Sequence, residues 1–419
     1  MIKTKNRFIQ DNFSIDKQIN SSLNHLHEPK SLHNMPVYWN RAVDYSVFDD
    51  DGNKWIDMTA GIFLANSGHS NPEVLKSIRE QIDNELIYAY QYPTNIRTKF
   101  VKKLMTISPS YFDKLILLNS GSEATDISYK LMKLWGRKNN KKYIIVFEGS
   151  YHGRALGSEL LGGTSDSTSW TNFVDKDVVF LKFPYKSTDT LDISMLPPVD
   201  QICAVFMETY QGWGSWVYPQ KYIDFMYKLS RENNFLFCVD EVQAGFYRMG
   251  TLYGYMTYGP HIKPDLICMG KGLSSSLPIS AVMGRKEIID VDIETNLSSS
   301  HAGNALCCSA GLGNLEFLES EKFQGELKEK IPIFESRNLE LEKFDVVEKV
   351  NVKGLVSGII TKGGETADRI CMKLINRGVL PVWTHRESVK LGPPLTISID
   401  AINEAMDVIH KVISEESNG

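Results

Sequence analysis

A lysine between two glycines, in the segment Gly270-Lys271-Gly272, is the first candidate for chemistry in this sequence. It follows the apolar run Leu266–Met269, which reads as a buried strand, whereas a lysine ordinarily occupies a solvated helix face. An amine beside a buried strand end loses solvation, and its pKa falls because the charged form is disfavoured. The neutral amine can then attack an aldehyde and form a Schiff base. Lys271 is therefore predicted to hold an aldehyde cofactor.

A carboxylate at the end of another apolar run offers such a cofactor a partner. The run 235–239 ends at Asp240, and Glu241 and Gln243 follow it closely. A buried carboxylate is costly unless a cation or hydrogen-bond donors satisfy it, so a helix N-cap or a salt bridge is the ordinary alternative. The functional interpretation pairs Asp240 with the protonated ring nitrogen of pyridoxal phosphate, which makes that ring an electron sink. Gln243 would then be within reach of the 3-oxygen of the ring.

Two further segments have residue types that could hold the rest of this cofactor. Gly121 and Ser122 stand between an apolar run and a helical pattern, which indicates a phosphate site at a helix N-terminus. Tyr151 follows another apolar run and could stack on a ring, and Arg154 could bind a carboxylate through two hydrogen bonds. His152 is interpreted as a packing or hydrogen-bonded residue, because most histidines are not catalysts.

Short apolar strands alternating with helical segments must position these residues. The apolar runs lie at 114–118, 143–147, 178–183, 203–207, 235–239, 266–269 and 279–283. Nearly continuous apolar strands are typical of a mostly parallel sheet with helices on both faces, and such sheets bind ligands at the carboxyl ends of their strands. The pattern predicts an α/β fold with a seven-stranded, mostly parallel central sheet. The two ends of the chain predict a smaller α+β domain, including an Asp-Gly hairpin within 37–58.

Composition and charge exclude several classes of protein. The 419 residues are 42% hydrophobic and carry a net charge of −5, with no basic stripe that would bind nucleic acid. The longest apolar runs are too short to span a membrane, and residues 1–18 lack the apolar core of a signal peptide, so a cytoplasmic protein is expected. The six cysteines form no CxxC and no zinc spacing, so we expect free thiols and no metal site.

Taken together, the motifs resemble the class III, or ω-amino-acid-type, aminotransferases of fold type I, which depend on pyridoxal phosphate. The resemblance runs from about Val43 to the C-terminus. It rests on "DEVQ" at 240–243 with "KGL" at 271–273, together with "NSGSEATD", "YHGR" and "PPLTIS". It implies a large cofactor-binding domain over residues 60–305, a small domain formed by residues 1–59 and 306–419, and a homodimer whose active site is built from two subunits.

The resemblance also implies a role for each matching residue. Lys271 would bind the cofactor and shuttle a proton, and Asp240 would pair with the ring nitrogen, as the two catalytic residues. The other cofactor contacts are implied to be Gly121, Ser122, Tyr151, Val242, Gln243 and Ser300, the last reaching the phosphate of the neighbouring subunit. The substrate contacts are implied to be Arg154, Glu208, Trp213 and Lys390.

Departures from the family pattern concern the substrate. Lys390 stands where members acting on α-amino acids carry an arginine, and a lysine cannot provide the bidentate fork. Trp213 stands where an acidic residue is frequent, and Thr209 and Ala305 replace usual prolines. These changes favour an amine, an ω-amino acid or an amino sugar as donor, with a 2-oxo acid such as 2-oxoglutarate or pyruvate as acceptor. The plain alternative is that Lys390 is a solvated surface lysine.

The function predicted from the sequence is thus ping-pong transamination through pyridoxamine phosphate. An epimerase, an aminomutase or a decarboxylase on the same scaffold is the alternative, because the cofactor performs the chemistry and small steric changes direct it. A cofactor-binding regulator is disfavoured, since the N-terminus has neither the length nor the basic charge of a DNA-binding segment. A Rossmann dehydrogenase is rejected because no GxGxxG follows the first apolar run of the central pattern.

Overall fold

The N-terminal part of the chain forms a small sheet. A computed structural model describes residues 1–14, 37–163 and 169–418. The strands of this sheet are β1 (Ile2–Lys3), β2 (Phe8–Ile9), β3 (Arg41–Val43), β4 (Ser46–Phe48) and β5 (Lys54–Asp57), in the order β1-β2-β5-β4-β3. Strands β4 and β5 pair in antiparallel fashion across the predicted Asp-Gly turn, where Gly52 has a φ of 83°. The hairpin prediction is therefore confirmed.

Three helices lead from this sheet to the centre of the molecule: α1 (Ala60–Phe63), α2 (Pro72–Asp83) and α3 (Asn95–Ile107). Asn71 and Thr94 cap α2 and α3 by accepting hydrogen bonds from first-turn N–H groups. The turn α1 is unusual, because all four of its residues have positive φ, between 48° and 64°. A left-handed conformation costs about 1–2 kcal/mol for each residue with a side chain, and such strain is concentrated at functional sites.

The central sheet has the predicted seven strands. Its strands are β6 (Lys114–Leu118), β7 (Tyr143–Phe147), β8 (Val178–Leu181), β9 (Ile202–Glu208), β12 (Leu236–Asp240), β13 (Leu266–Met269) and β14 (Ser280–Gly284). Strands β10 (Tyr210–Gln211) and β11 (Trp216–Val217) form a separate two-stranded sheet. The sheet order is β6-β14-β13-β12-β9-β7-β8, and β14 runs antiparallel to both neighbours while the other strands share one direction.

Both faces of this sheet are buried. Neighbouring residues of one strand, such as Ile144 and Ile145 in β7, belong to different buried clusters, as alternation across a sheet requires. Leu131, in the helix Gly121–Lys138, packs on one face, and Met226, in the helix Gln220–Glu232, packs on the other. This explains the nearly continuous apolar strands. The covering helices are α4 (Gly121–Lys138), α5 (Leu156–Leu160), α6 (Gln220–Glu232) and α7 (Lys286–Ile289).

The C-terminal part adds helices and a four-stranded antiparallel sheet. Its elements are α8 (Ala305–Leu318), α9 (Glu321–Leu339), β15 (Val347–Lys353), β16 (Val356–Thr361), α10 (Gly364–Asn376), β17 (Val379–Leu380), β18 (Val382–Trp383), β19 (Ser388–Leu391) and α11 (Ile399–Asn418). The sheet order is β15-β16-β19-β18, and β17 instead pairs in parallel with β5. This pairing brings the N-terminal and C-terminal parts of the chain together, and the division into two domains stays a prediction.

The described residues contain neither a membrane-crossing helix nor a metal cluster. No helix within them is long and apolar enough to cross a membrane. No group of three or more histidine, cysteine or acidic side chains lies in a metal-binding arrangement in the same part of the chain.

Candidate active site

The predicted cofactor residues meet at one edge of the central sheet. Asp240 of β12 is paired in register with Glu208 of β9 and with Cys268 of β13, and Lys271 lies just beyond β13. The predicted cofactor residues surround a cavity of about 190 Å³. Its lining contains eight of the predicted residues, namely Gly121, Ser122, Tyr151, Glu208, Asp240, Val242, Gln243 and Lys271. It also contains His152, Gly153, Tyr210 and Ala244.

Close packing explains one of the two glycines beside Lys271, namely Gly272. A Cβ on Gly272 would lie 2.5 Å from the Asn66 side chain, so only glycine fits there. Lys271 itself adopts a φ of 40°, a strained conformation for a residue with a side chain. Burial lowers the pKa of Lys271, and the carboxylates of Asp240 and Glu208 oppose that shift. A partly buried amine with a lowered pKa is suited to attack a carbonyl carbon.

Asp240 is held by two hydrogen-bond donors. Its Oδ2 lies 2.8 Å from Nδ1 of His152, and its Oδ1 accepts a 2.9 Å hydrogen bond from the N–H of Val242. The His152 ring is buried against Phe206, and its Nε2 has no partner among the described residues. His152 therefore orients the carboxylate that was predicted to meet the ring nitrogen. From the sequence, His152 is interpreted as a packing or hydrogen-bonded residue without a named partner, because no local signal reveals a contact across 88 positions.

The N-terminus of α4 has two N–H groups available to an anion. Ser120 caps the helix in a capping box: its hydroxyl accepts a hydrogen bond from the N–H of Glu123, and the Glu123 carboxylate accepts one from the N–H of Ser120. The N–H groups of Gly121 and Ser122 have no acceptor within the described ranges of the chain. Because they line the cavity at the positive end of an 18-residue helix, they form a cradle that suits a phosphate group.

Tight packing makes this cradle depend on glycine. A Cβ on Gly121 would lie 2.8 Å from Val242 Cγ1, so the helix start and the residue predicted to pack on the ring are in direct contact. Gly153 has a φ of 131°, and a Cβ there would lie 2.4 Å from the Ser122 hydroxyl. The Ser122 hydroxyl also accepts a 3.1 Å hydrogen bond from the N–H of Arg154. The cradle is thus built from two loops that approach closely.

Glu208 is an anchored buried acid rather than a free one. Its carboxylate accepts 3.1 Å hydrogen bonds from the N–H groups of Tyr151 and Gly212. Burial raises the pKa of Glu208 to about 7, with His152 opposing this shift. The Tyr151 side chain, in contrast, is 51% exposed at the rim of the cavity, where it can cover a bound ring.

A larger cavity of about 550 Å³ adjoins the cofactor cavity and is lined by the predicted substrate residues. The left-handed turn α1 contributes Ile62 and Phe63 to its wall. Trp213 and Arg154 also line it, and the guanidinium of Arg154 lies 5.7 Å from the centre of the Tyr151 ring. The remaining lining includes Glu159, Val382, Thr384, Arg386 and Lys390.

Lys390 is buried, so its interpretation as a solvated surface lysine is wrong. Only 2% of the residue is exposed. Its amine donates hydrogen bonds to the carbonyl of Gly212 and, at 3.0 Å, to Oε1 of Gln243, and it lies 4.2 Å from the centre of the Phe63 ring. Burial lowers the pKa of Lys390 to about 7.

Trp213 is fixed at the mouth of the larger cavity. Its indole N–H donates a 2.6 Å hydrogen bond to Oε1 of Gln211, which also accepts one from the Tyr185 hydroxyl at 3.1 Å. The guanidinium of Arg386 lies 5.5 Å from the centre of the Trp213 rings, within the range of a cation–π contact. Where the family frequently has an acidic residue, this chain thus has the aromatic ring of Trp213 in contact with the guanidinium of Arg386.

Ser300 is the one predicted cofactor residue that lies away from both cavities in this single chain. It is exposed, and its carbonyl accepts a 3.0 Å hydrogen bond from the Tyr88 hydroxyl. Tyr210, which sequence reasoning missed, lies in the cofactor cavity, and its buried hydroxyl has no partner among the described residues. Its position after the strand-end residues Glu208 and Thr209 was the available signal.

The smaller cavity fits pyridoxal phosphate group by group. The cradle at α4 suits its phosphate, Asp240 suits its ring nitrogen, and Tyr151 and Val242 both line the space available to its ring. The amine of Lys271 suits its aldehyde. When bound, this cofactor withdraws electrons from the carbon that carries the amino group of a substrate.

Comparisons with known proteins agree with this site. The family model for class-III aminotransferases matches residues 28–413. The chain is 30% identical to an ornithine aminotransferase of Plasmodium yoelii yoelii over 97% of this chain and 98% of that protein. It is 28% identical to an isoleucine 2-epimerase of Lentilactobacillus buchneri, over 91% and 92%.

A solved structure shares the whole architecture. The ornithine delta-aminotransferase of Plasmodium falciparum superposes with a TM-score of 0.79 and 26% identity, covering 97% of this chain and 98% of that one. The family match spans most of the chain and includes the lysine, the carboxylate and the phosphate cradle described above. The chain therefore belongs to the class-III aminotransferases, enzymes of fold type I that use pyridoxal phosphate.

Proposed function

We propose that this transaminase takes the amino group from a terminal amine, as in an ω-amino acid, and passes it to a 2-oxo acid such as 2-oxoglutarate or pyruvate in a ping-pong reaction. The burial of Lys390 is the observation that carries this proposal. The Lys390 amine already donates hydrogen bonds to two oxygen acceptors. It therefore cannot form a bidentate pair with an α-carboxylate next to the amino group of the substrate. The name of the Plasmodium falciparum relative, a delta-aminotransferase, also specifies a terminal amino group.

The acceptor is assigned through Arg154. Its guanidinium lines the larger cavity next to the Tyr151 ring, and a charge-assisted pair with the carboxylate of a 2-oxo acid would bring the oxo carbon towards Lys271. An amino sugar is a further candidate donor, because the Trp213 ring, which packs against the Tyr185 ring, offers an aromatic surface in the wall of the larger cavity.

Within this reaction, the proposed division of labour follows the geometry of the cavity. Lys271 holds the cofactor and moves the proton between the substrate carbon and the cofactor, and Asp240, oriented by His152, keeps the ring nitrogen protonated. Gln243 donates a hydrogen bond to the 3-oxygen of the ring. Ser300 of a second copy completes the phosphate site in a homodimer.

Matched pairs of amines test the donor assignment. The holoenzyme is mixed with 4-aminobutanoate or L-2-aminobutanoate, and the loss of cofactor absorbance is followed in single turnovers. We expect the terminal amine to react faster by at least about tenfold, which corresponds to about 1.4 kcal/mol of barrier. A preference for the α-amine would contradict the proposal. Arg154→Ala should raise the KM for the oxo acid ~10–100-fold, the loss expected for one charge-assisted pair.

Epimerisation is the second candidate, favoured by the similarity to an isoleucine 2-epimerase. The two reactions differ in stoichiometry. A transaminase releases one equivalent of oxo product per active site when no acceptor is present, whereas an epimerase inverts its substrate without net loss of amine. Chiral chromatography of an L-amino acid after incubation, beside an assay for the oxo product, distinguishes them. The same assay detects decarboxylation or amino migration, the remaining alternatives on this scaffold.

A further inference from the structure

Lys390 is a buried lysine whose hydrogen-bond acceptors are both uncharged oxygens. It lies in β19 of the C-terminal sheet and reaches across to the turn between β10 and β11 and to the turn after β12. One acceptor is the carbonyl of Gly212 and the other is Oε1 of Gln243. A buried cation is costly, so a lysine in this position needs a function that an apolar residue could not perform.

The chemistry of the lysine decides the orientation of the Gln243 amide. An ammonium group has three donors and no acceptor, so Gln243 must turn its oxygen, not its nitrogen, towards Lys390. The amide is planar, and its Nε2 therefore points away from Lys390. Because Gln243 lines both cavities, the N–H donors of Nε2 are the part of the amide available to the cofactor cavity.

We propose that Lys390 is a positioning residue that fixes Gln243 with its N–H donors facing the 3-oxygen of the cofactor ring. An ionised ring oxygen is stabilised by a donor and repelled by a carbonyl oxygen, so the reversed amide would weaken binding. The inference rests on the contact of Gln243 with the ring given under Proposed function. It assigns the buried lysine to the cofactor, and not to the carboxylate of a substrate.

The surroundings of Lys390 set the conditions for a test. Its pKa is lowered to about 7, mainly by burial; Glu208 opposes this shift, and the charges of Lys271 and Arg248 contribute to it. The rings of Phe63 and Tyr210, at 4.2 and 5.6 Å from the amine, stabilise the cation. At pH 6.0 the ammonium form predominates, and it can only donate hydrogen bonds.

A double-mutant cycle at pH 6.0 measures whether Lys390 acts through Gln243. The full-length apoprotein is titrated with pyridoxal phosphate in the wild type, Lys390→Met, Gln243→Ala and the double variant. We expect K390M to raise the Kd about 5- to 10-fold, the effect of one misplaced hydrogen bond. The double variant should bind no more weakly than Q243A. Lys390→Arg, which keeps the donors, should bind within about 2-fold of the wild type.

The cofactor spectrum gives a second readout that a merely structural role would not move. K390M and Q243A should shift the visible absorption of the bound cofactor in the same direction, and K390R should not shift it. If Q243A binds the cofactor as tightly as the wild type does, Gln243 does not contact the 3-oxygen of the ring, and the positioning role of Lys390 falls with that contact. If Q243A weakens binding but K390M weakens it equally in both backgrounds, that contact stands and the positioning role is overturned. Should K390M not fold, Lys390→Ala replaces it in the same cycle.

Discussion

Lys271 is the residue whose removal should abolish turnover most completely. Lys271→Ala removes the amine proposed to bind the cofactor aldehyde and to move the proton, so activity should fall by several orders of magnitude. The melting temperature of the apoprotein should change little, because the side chain is only partly buried and lies outside the main apolar cluster. Steady-state kinetics and thermal unfolding of the apoprotein measure the two effects.

The covalent role of Lys271 has a direct chemical test. Borohydride reduction of the holoenzyme followed by peptide mapping should place the label on Lys271. Lys286→Ala, at an exposed lysine in α7, is the matched control and should retain wild-type turnover. A label on any other lysine would contradict the assignment.

Lys390 should make the stability of the protein depend on pH in the alkaline range. Its pKa is lowered to about 7 in the folded chain, whereas an unfolded lysine titrates near 10.4. Between these values the unfolded state binds more protons, so the free energy of unfolding should rise with pH, by at most about 1.4 kcal/mol per unit. Denaturant unfolding of the apoprotein from pH 7 to 9 measures this slope. K390M should lose that contribution, and equal slopes in both proteins would contradict the prediction.

Among the elements, the junction of α4 with the turn after β12 has little room for added volume. Gly121→Ala places a Cβ about 2.8 Å from Val242 Cγ1 at the phosphate cradle, so the helix start or the ring-facing valine must move. We expect the Kd for pyridoxal phosphate to rise about 10-fold while the circular dichroism of the apoprotein is unchanged. Titration of the apoprotein measures the affinity.

Gly325 is the matched control for this substitution. It lies inside α9, and a Cβ there would meet no atom within 4 Å. Gly325→Ala should therefore leave cofactor affinity unchanged and raise the free energy of unfolding by about 0.5–1 kcal/mol, because glycine is unfavourable within a helix. Equal cofactor affinity in Gly121→Ala and Gly325→Ala would show that the cradle accommodates the added methyl group, which would contradict the prediction.

The whole active molecule is predicted to contain two chains. Ser300 lies on the surface beside the exposed ring of Tyr88, and Tyr92 in the same loop is 75% exposed. Exposed aromatic residues next to a predicted phosphate contact fit a surface covered by a second copy. Sedimentation should therefore give a dimer at assay concentrations.

Subunit mixing tests whether Ser300 acts across the interface. Lys271→Ala and Ser300→Glu are each expected to be inactive, the second because a carboxylate would repel the phosphate. In a mixed dimer, one site combines the intact Lys271 of one chain with the intact Ser300 of the other. Refolding the two together should restore about a quarter of wild-type activity per chain by random pairing. No recovery in proven mixed dimers would place Ser300 outside the neighbouring site.

The amino-acid sequence by itself determined the central sheet and most of the residues that line the smaller cavity. Strands buried on both faces must be apolar along their length, so their positions are local properties that the sequence displays. Parallel strands deliver their carboxyl ends to one edge, which is why the strand pattern alone places Asp240 and Lys271 together. The α4 cradle was predictable for the same reason, since a helix start is a local pattern.

Only the tertiary structure decided the surroundings of His152, Lys390 and Ser300. The contact of His152 with Asp240 and that of Lys390 with Gln243 join residues 88 and 147 positions apart, on elements that meet through long-range packing. Whether Lys390 was solvated or buried depended on how β19 sits beside the cavity, which no local pattern encodes. Ser300 lies on the surface of one chain, so its predicted phosphate contact would require a second copy. Burial and hydrogen-bond partners are set by long-range packing, and the sequence expresses them only through the fold.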